Sequence, residues 1–266
     1  MSSNGPMSSN GGPTPAPFRG AAVALVTLFD QDGDLDAPAT AALAVELVEL
    51  GVQAVVVAGS TGEAAALSQQ ERNELLDVVK VSVTSVPVIA GTGAPSARQA
   101  VELTAAAVDH GADAVLVLSP PGVTDPRPYY VQVAKAAGDV PVLAYHFPAL
   151  SPPGFPVGML ADLPVAGVKD SSGDPARLLE AVARWGGPVY VGSSALLFMA
   201  GAVGAAGAIL TLANADPERC IAAFGGDVDA QLKLAPGHFK AMWNFPAGIK
   251  ELTADRFDTS TATRLL

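Results

Sequence analysis

Eight short apolar runs, most ending on or just before a small or polar residue and each followed by a stretch with helical character, limit what this chain can fold into. They are Ala21–Leu28, Ala54–Val57, Val86–Ala90, Ala114–Leu118, Val140–Tyr145, Val165–Lys169, Val189–Gly192 and Ala208–Leu212. Their ends fall 20 to 33 residues apart, about the length of one strand-plus-helix unit. The runs are continuously apolar rather than alternating, which marks strands buried on both faces in a parallel sheet. Helix signals stand between them. Ser68-Gln-Gln-Glu71 is a capping box opening a helix that runs to about Val83. Ser96 caps another that reaches His110, with Gly111 as its stop. Pro175–Trp185 and Pro217–Phe224 begin with proline in the first turn, where its missing N–H is tolerated.

An open doubly wound sheet would more often carry a glycine-rich dinucleotide turn after its first strand, and Phe29-Asp-Gln-Asp-Gly33 is not one. The pattern predicts a (β/α)8 TIM barrel over residues 18–224 and a short C-terminal helical extension over residues 225–266. Residues 1–17 are rich in Pro, Gly and Ser and repeat Met1-Ser-Ser-Asn-Gly5 as Met7-Ser-Ser-Asn-Gly11. They are expected to form a disordered tail outside the fold. This head has neither a basic start nor an apolar core, so no secretory signal is expected, and the expected location is cytoplasmic.

Charge and cysteine usage exclude other classes. With 26 acidic and 15 basic residues the formal charge is −11. Nucleic acid and anionic membranes would be repelled, so neither is an expected partner. The uncharged stretch Ala195–Ala213, 19 residues, could span a bilayer by length alone. Gly201, Gly204 and Gly207 divide it, and a buried helix, a turn and a buried strand explain it better. A single cysteine, Cys220, rules out a disulfide framework and a cysteine-based metal site.

In a barrel of this kind the active site is built at the C-terminal ends of the strands, so the residues closing each run are the candidates. Of six lysines only Lys169 closes a run. Burial favours the uncharged amine, the form that attacks a carbonyl. The alternative is a solvated lysine opening the loop Asp170-Ser-Ser-Gly-Asp174. Tyr145 closes the preceding run, and its phenol could relay a proton or support a developing oxyanion. Gly59-Ser-Thr-Gly-Glu63 follows the second run. Two glycines allow a tight turn whose backbone amides, with the Ser60 and Thr61 hydroxyls, suit a carboxylate. Glu63 reads as a structural acceptor rather than a base. His110 reads as a helix-end residue, and His146 is a weaker candidate for substrate contact. His110, His146 and His238 show no metal-ligand spacing, and no metal is expected.

Five motifs occur in one order: Gly59-Ser-Thr-Gly-Glu63 with Leu67-Ser-Gln-Gln-Glu-Arg72, then Val88-Ile-Ala-Gly-Thr-Gly93, Tyr145-His-Phe-Pro148, Gly167-Val-Lys-Asp-Ser-Ser-Gly173 and Gly207-Ala-Ile-Leu-Thr-Leu-Ala-Asn214. Over roughly Phe18 to Pro217 the chain resembles the dihydrodipicolinate synthase / N-acetylneuraminate lyase family. The resemblance implies a class I aldolase-type lyase that needs no cofactor beyond its own lysine. Lys169 would form the imine with pyruvate or another 2-oxo acid, and Tyr145 would shuttle protons. Ser60 and Thr61 would grip the carboxylate, with Thr61 also passing a proton to the tyrosine. Gly192 and Ile209 would line the pyruvyl pocket. A homo-oligomer, tetramer or dimer, is implied as well.

The departures from the family pattern concern the second substrate. Tyr145-His-Phe-Pro148 is followed by Ala149-Leu-Ser-Pro-Pro-Gly154, without the arginine that holds the carboxylate of aspartate semialdehyde. Ser119-Pro-Pro-Gly122 stands where an aromatic pair is usual, and Tyr129 and Tyr130 come later. Ser193-Ser-Ala195 replaces the acidic pair of the sialic acid lyases. The expected function is therefore C–C cleavage or condensation through a lysine enamine. The alternatives are condensation of pyruvate with aspartate semialdehyde (a 4-hydroxy-tetrahydrodipicolinate synthase), or a non-catalytic barrel that binds a small carboxylate.

Overall fold

The computed structural model describes residues 15–265. Its eight strands are β1 Gly20–Ala24, β2 Val55–Val57, β3 Val88–Gly91, β4 Ala114–Leu118, β5 Val142–His146, β6 Gly167–Asp170, β7 Val189–Val191 and β8 Gly207–Leu210. They run parallel and close in chain order, β8 returning to pair with β1. The crossovers carry α1 Ala37–Glu49, α2 Gln69–Ser82, α3 Ala97–Asp109, α4 Arg127–Ala137, α5 Pro175–Arg184 and α6 Leu197–Ala202, and α7 Pro217–Phe224 follows β8. The (β/α)8 expectation is met. Beyond it come α8 Val228–Lys233, α9 Ala235–Trp243 and α10 Ala247–Phe257. Most of the expected disordered tail, residues 1–14, lies outside the described residues.

Local chemistry sets the element ends. Ser68 and Glu71 form the reciprocal capping box at the start of α2. Ser96 caps α3, and His110 ends it, its ring nitrogen 2.8 Å from Asp77. The 195–213 stretch is α6, a turn and β8, and no helix among the described residues is long and apolar enough to cross a membrane.

Two elements differ from the sequence expectation. The first apolar run is a strand only to Ala24. Leu25 still donates to the Val56 carbonyl at 2.9 Å, and the chain from Val26 to Leu28 stays buried but leaves the ladder, because side chains take over its N–H groups. Val26 donates to Asn214 Oδ1 at 2.9 Å and Leu28 to Thr40 Oγ1 at 2.9 Å. The β5–β6 crossover holds a 3-10 turn, Val157–Asp162, in place of an α-helix. Pro148, Pro152, Pro153 and Pro156 crowd that segment, and each removes an N–H that a helix would use.

Side chains alternate between two layers. Those pointing outward pack against the helices in one large core, while those pointing inward fill the barrel: Ala22, Ala24, Val56, Ile89, Leu116, Leu143, Tyr145, Tyr190 and Ile209. Phe18 stacks on Tyr190 at 4.5 Å and accepts its hydroxyl proton at the backbone carbonyl, sealing one end. The other end opens into the site.

Candidate active site

Register alone brings the lysine and the tyrosine together. Tyr145 and Lys169 are direct partners across β5 and β6, as are Leu143 and Gly167 two residues earlier. A Cβ at Gly167 would stand 2.7 Å from Leu143 and 3.2 Å from Tyr190, so glycine there lets the large side chains fill the layer below Lys169. Lys169 is 4% exposed, and its Nζ lies 4.2 Å from the centroid of the Tyr145 ring. The solvated alternative for Lys169 is thereby excluded. Phe147 stacks on the other aromatic at 5.9 Å.

The next residue, Asp170, faces the helices and pairs with Arg177 of α5. It also accepts from the Ser172 hydroxyl at 2.6 Å. These bonds fix the chain that leaves β6 just past the lysine.

The Gly59–Glu63 turn approaches Lys169 from β2. Ser60 and Thr61 border the same cavity, and their backbone N–H groups have no acceptor among the described residues. Ala58 and Glu63, at its two ends, take left-handed φ values of 50° and 54°, strained for residues with a Cβ. Three contacts hold the turn. Thr27 Oγ1 donates to the Gly62 carbonyl at 2.7 Å, and Thr61 Oγ1 lies 2.8 Å from Thr211 Oγ1. The fully buried Glu63 carboxylate pairs with Lys250 of α10 at 2.6 Å, and it accepts the N–H groups of Arg264 and Leu265. Glu63 is thus the structural acceptor its position suggested.

Together these groups line a cavity of about 330 Å³ at the C-terminal ends of the strands. Four predicted site residues besides Lys169, namely Tyr145, Ser60, Thr61 and Gly192, border it. Ile209 is fully buried in the layer beneath, and on that side Thr211 and Leu212 form the wall. The Thr61 hydroxyl has Thr211, not Tyr145, as its hydrogen-bond partner. Gly192 is required by packing, since a side chain there would collide with Ser171. A hollow of about 310 Å³ between α1 and the segment after α10 includes Asp36 and Glu46 but no cation.

The histidines separate clearly. His146 lies outside the cavity, its Nδ1 accepting the Phe155 N–H at 3.2 Å. Burial, with the Arg177 charge adding to it and Asp170 opposing, pushes its pKa down to about 4. The suggested substrate contact by His146 is not supported by this placement. His238 of α9 does border the cavity, 2.8 Å from Ser194 Oγ, and burial lowers its pKa. Among the described residues no three His, Cys, Asp or Glu side chains gather in a metal-holding cluster.

Tyr129 and Tyr130 are core residues of α4. Tyr129 bonds the Ala94 backbone and Tyr130 donates to the Val117 carbonyl at 2.9 Å. Burial pushes the Tyr129 phenol up to about 12.

Thr211 and His238 were missed as site residues. Thr211 was concealed inside an apolar run read through to Leu212, although as the polar residue at a strand end it fits the rule that found Lys169. His238 carries no local signal, because only the tertiary fold lays α9 beside the barrel mouth.

Comparison with known proteins agrees with this geometry. The model of the dihydrodipicolinate synthetase family matches residues 17–235. A 4-hydroxy-tetrahydrodipicolinate synthase of Methylococcus capsulatus is 36% identical over 225 residues, covering 79% of this chain and 77% of that protein. Among solved structures, YagE of E. coli K12, a prophage protein of the dihydrodipicolinic acid synthase family in complex with pyruvate, superposes with a TM-score of 0.84. It is 28% identical, with 92% of this chain and 91% of that one covered. The chloride-inhibited dihydrodipicolinate synthase of Acinetobacter baumannii complexed with pyruvate gives 0.85 at 28% identity, over 93% and 91% of the two chains. A closed eight-strand barrel, a lysine and tyrosine in register at its mouth, and a family match over most of the sequence agree: the chain belongs to the dihydrodipicolinate synthetase family and is a lyase of the class I aldolase type.

Proposed function

We propose that this chain makes or breaks a carbon–carbon bond next to the keto group of pyruvate or a related 2-oxo acid, through an imine on Lys169. The observation that carries this reading is the buried Lys169 amine, 4.2 Å from the Tyr145 ring and in register with it. The relatives complexed with pyruvate support the choice of ligand.

The uncharged Lys169 amine attacks C2 of the 2-oxo acid and forms a carbinolamine. Its hydroxyl leaves as water after taking a proton from Tyr145, giving the protonated imine. In the cleavage direction the C4 hydroxyl of the bound acid returns a proton to the Tyr145 phenolate and the C3–C4 bond breaks. An aldehyde leaves, and the electron pair moves into the iminium to give an enamine. Protonation at C3 and hydrolysis then release the shortened 2-oxo acid and the lysine. The Ser60 and Thr61 amides and hydroxyls hold the carboxylate, so C2 is presented to Nζ in one orientation. The lysine itself is the electron sink in this scheme, which calls for no metal or organic cofactor.

A second reading, 4-hydroxy-tetrahydrodipicolinate synthase, is favoured by the names of the relatives. Beside it stands Ala149, with no arginine in the cavity wall to receive the carboxylate of aspartate semialdehyde. Borohydride reduction in the presence of pyruvate tests the shared step. The expected result is a stable mass addition on Lys169 that disappears in Lys169→Ala. Pyruvate release from a panel of 4-hydroxy-2-oxo acids then tests turnover. No adduct with any 2-oxo acid overturns the reading.

A further inference from the structure

The turn proposed to receive the 2-oxo acid carboxylate is strained. Ala58 and Glu63 take left-handed φ values, and such conformations persist only where neighbouring contacts enforce them. Thr27 holds the turn at Gly62, and the Lys250 pair holds it at Glu63. Neither reaches Ser60 or Thr61, whose N–H groups have no acceptor among the described residues. Among those residues one side-chain hydrogen bond does reach this stretch. Thr61 Oγ1 lies 2.8 Å from Thr211 Oγ1, and both residues border the cavity.

Thr211 is a firm anchor for that bond. It stands directly after β8, and its carbonyl accepts the Asn214 N–H at 3.1 Å and the Asn214 side-chain amide at 2.8 Å. Asn214 is fully buried. It donates to the Ala24 carbonyl at 2.7 Å and accepts the Val26 N–H at 2.9 Å. Thr211 is thus fixed to the ends of both β8 and β1. Through the two hydroxyls the turn after β2 is tied to this frame.

Such a bond serves either position or proton transfer. A proton passed from Thr61 to Thr211 needs an onward carrier, and Thr211 Oγ1 has no second protein partner among the described residues. The hydroxyl chain ends there, and position is the role that remains. Thr61 is only 3% exposed. Without Thr211 its hydroxyl would stand buried and unpaired, a state that favours movement of the turn toward water.

We infer that Thr211 is a positioning residue for the carboxylate grip: its hydroxyl holds Thr61, and with it the Ser60 and Thr61 N–H groups, where they receive the 2-oxo acid. This inference rests on the imine at Lys169. The test is borohydride trapping of the pyruvate imine over a range of pyruvate concentrations, which yields a half-saturating concentration and a trapping rate at saturation. Thr211→Val removes the hydroxyl and keeps the shape. It should raise the half-saturating concentration about fivefold, the worth of one neutral hydrogen bond. The rate at saturation and its pH profile should match the parent. Thr211→Ala should behave as the valine variant does, and Thr211→Ser, which keeps the hydroxyl, should restore the parent value. The fraction trapped at saturation also reports that each variant is folded. An unchanged half-saturating concentration in the valine and alanine variants overturns the inference. So does a serine variant as impaired as the valine one, since packing of the methyl group would then be the cause. A fall in the saturating rate as large as the rise in concentration overturns it too and places Thr211 in proton transfer. A parent that forms no imine with any 2-oxo acid overturns the Lys169 reading and this inference with it, whereas a parent imine that the Thr211 variants leave unweakened overturns this inference alone.

Discussion

Lys169 and Tyr145 were legible as single residues because each is the polar end of an apolar run, and the parallel register then makes them neighbours. Tyr145→Phe keeps the ring against the Lys169 amine but removes the proposed proton carrier. Imine formation and turnover should fall about 10²- to 10⁴-fold, with an unchanged denaturation midpoint; single-turnover borohydride trapping measures the first of these. His146 shows what the sequence could not give. It adjoins Tyr145, yet alternation turns it outward against Phe155, 5.1 Å between ring centroids. Its pKa in the folded chain is about 4, against an ordinary 6.5. The unfolded chain therefore binds a proton over that range while the folded one does not. The stability this group contributes is whole above about pH 6.5 and is lost as pH falls toward 4. Urea midpoints at pH 7.5 and 5 should drop more for the parent than for His146→Gln, which lacks the titrating ring; equal drops would assign the acid sensitivity elsewhere.

At the scale of elements, local patterns reach as far as their own physics. Capping residues, proline starts and β-branched runs act within a few residues, and the helices and strands they specify are where the sequence places them, except at the end of the first run and in the β5–β6 crossover. The Gly59–Glu63 turn is the limiting case. Its glycines mark a tight turn, but what holds it in a strained conformation comes from far along the chain, in Thr211, Lys250 and Arg264. A buried Glu63 carboxylate has no visible partner within reach in the sequence. Lys250, itself fully buried, lies 4.3 Å from the centroid of Phe29, so the pair is closed off from water. Removing one partner strands the other charge. Glu63→Gln or Lys250→Met should each cost about 3–5 kcal/mol, read as a shift in urea midpoint. The double variant should recover a large part of the loss, because neither charge is then left buried alone. Additive losses would show that the two side chains act independently.

Across the whole molecule, the barrel was predictable and its completion was not, because strand periodicity says nothing about where a tail docks. The C-terminal residues return to the turn proposed to grip the carboxylate. Arg264 donates to the carbonyls of Gly33 at 2.7 Å and Ala66 at 3.1 Å, pairs with Glu71 at 2.7 Å, and lies 4.4 Å from the centroid of the Phe29 ring. With Leu265 it supplies two backbone N–H groups to Glu63. The turn that bears Ser60 and Thr61 is thus ordered by contacts made about two hundred residues later. Deleting the chain after Ser260 removes these contacts, together with the Ala262 carbonyl that accepts from Lys250, but keeps the Lys250, Lys169 and Tyr145 side chains. Two charge-assisted hydrogen bonds lost together are worth about 3 kcal/mol or more, which for a chain of this size lowers the Tm by about 6–12 °C. A loosened turn holds the 2-oxo acid carboxylate less often in the reactive pose. KM for pyruvate should therefore rise severalfold, while the imine still forms on Lys169 at saturating pyruvate. A truncated protein with unchanged KM and lowered Tm would confine the C-terminal segment to stability; a loss of imine at saturation would place it in the chemistry itself.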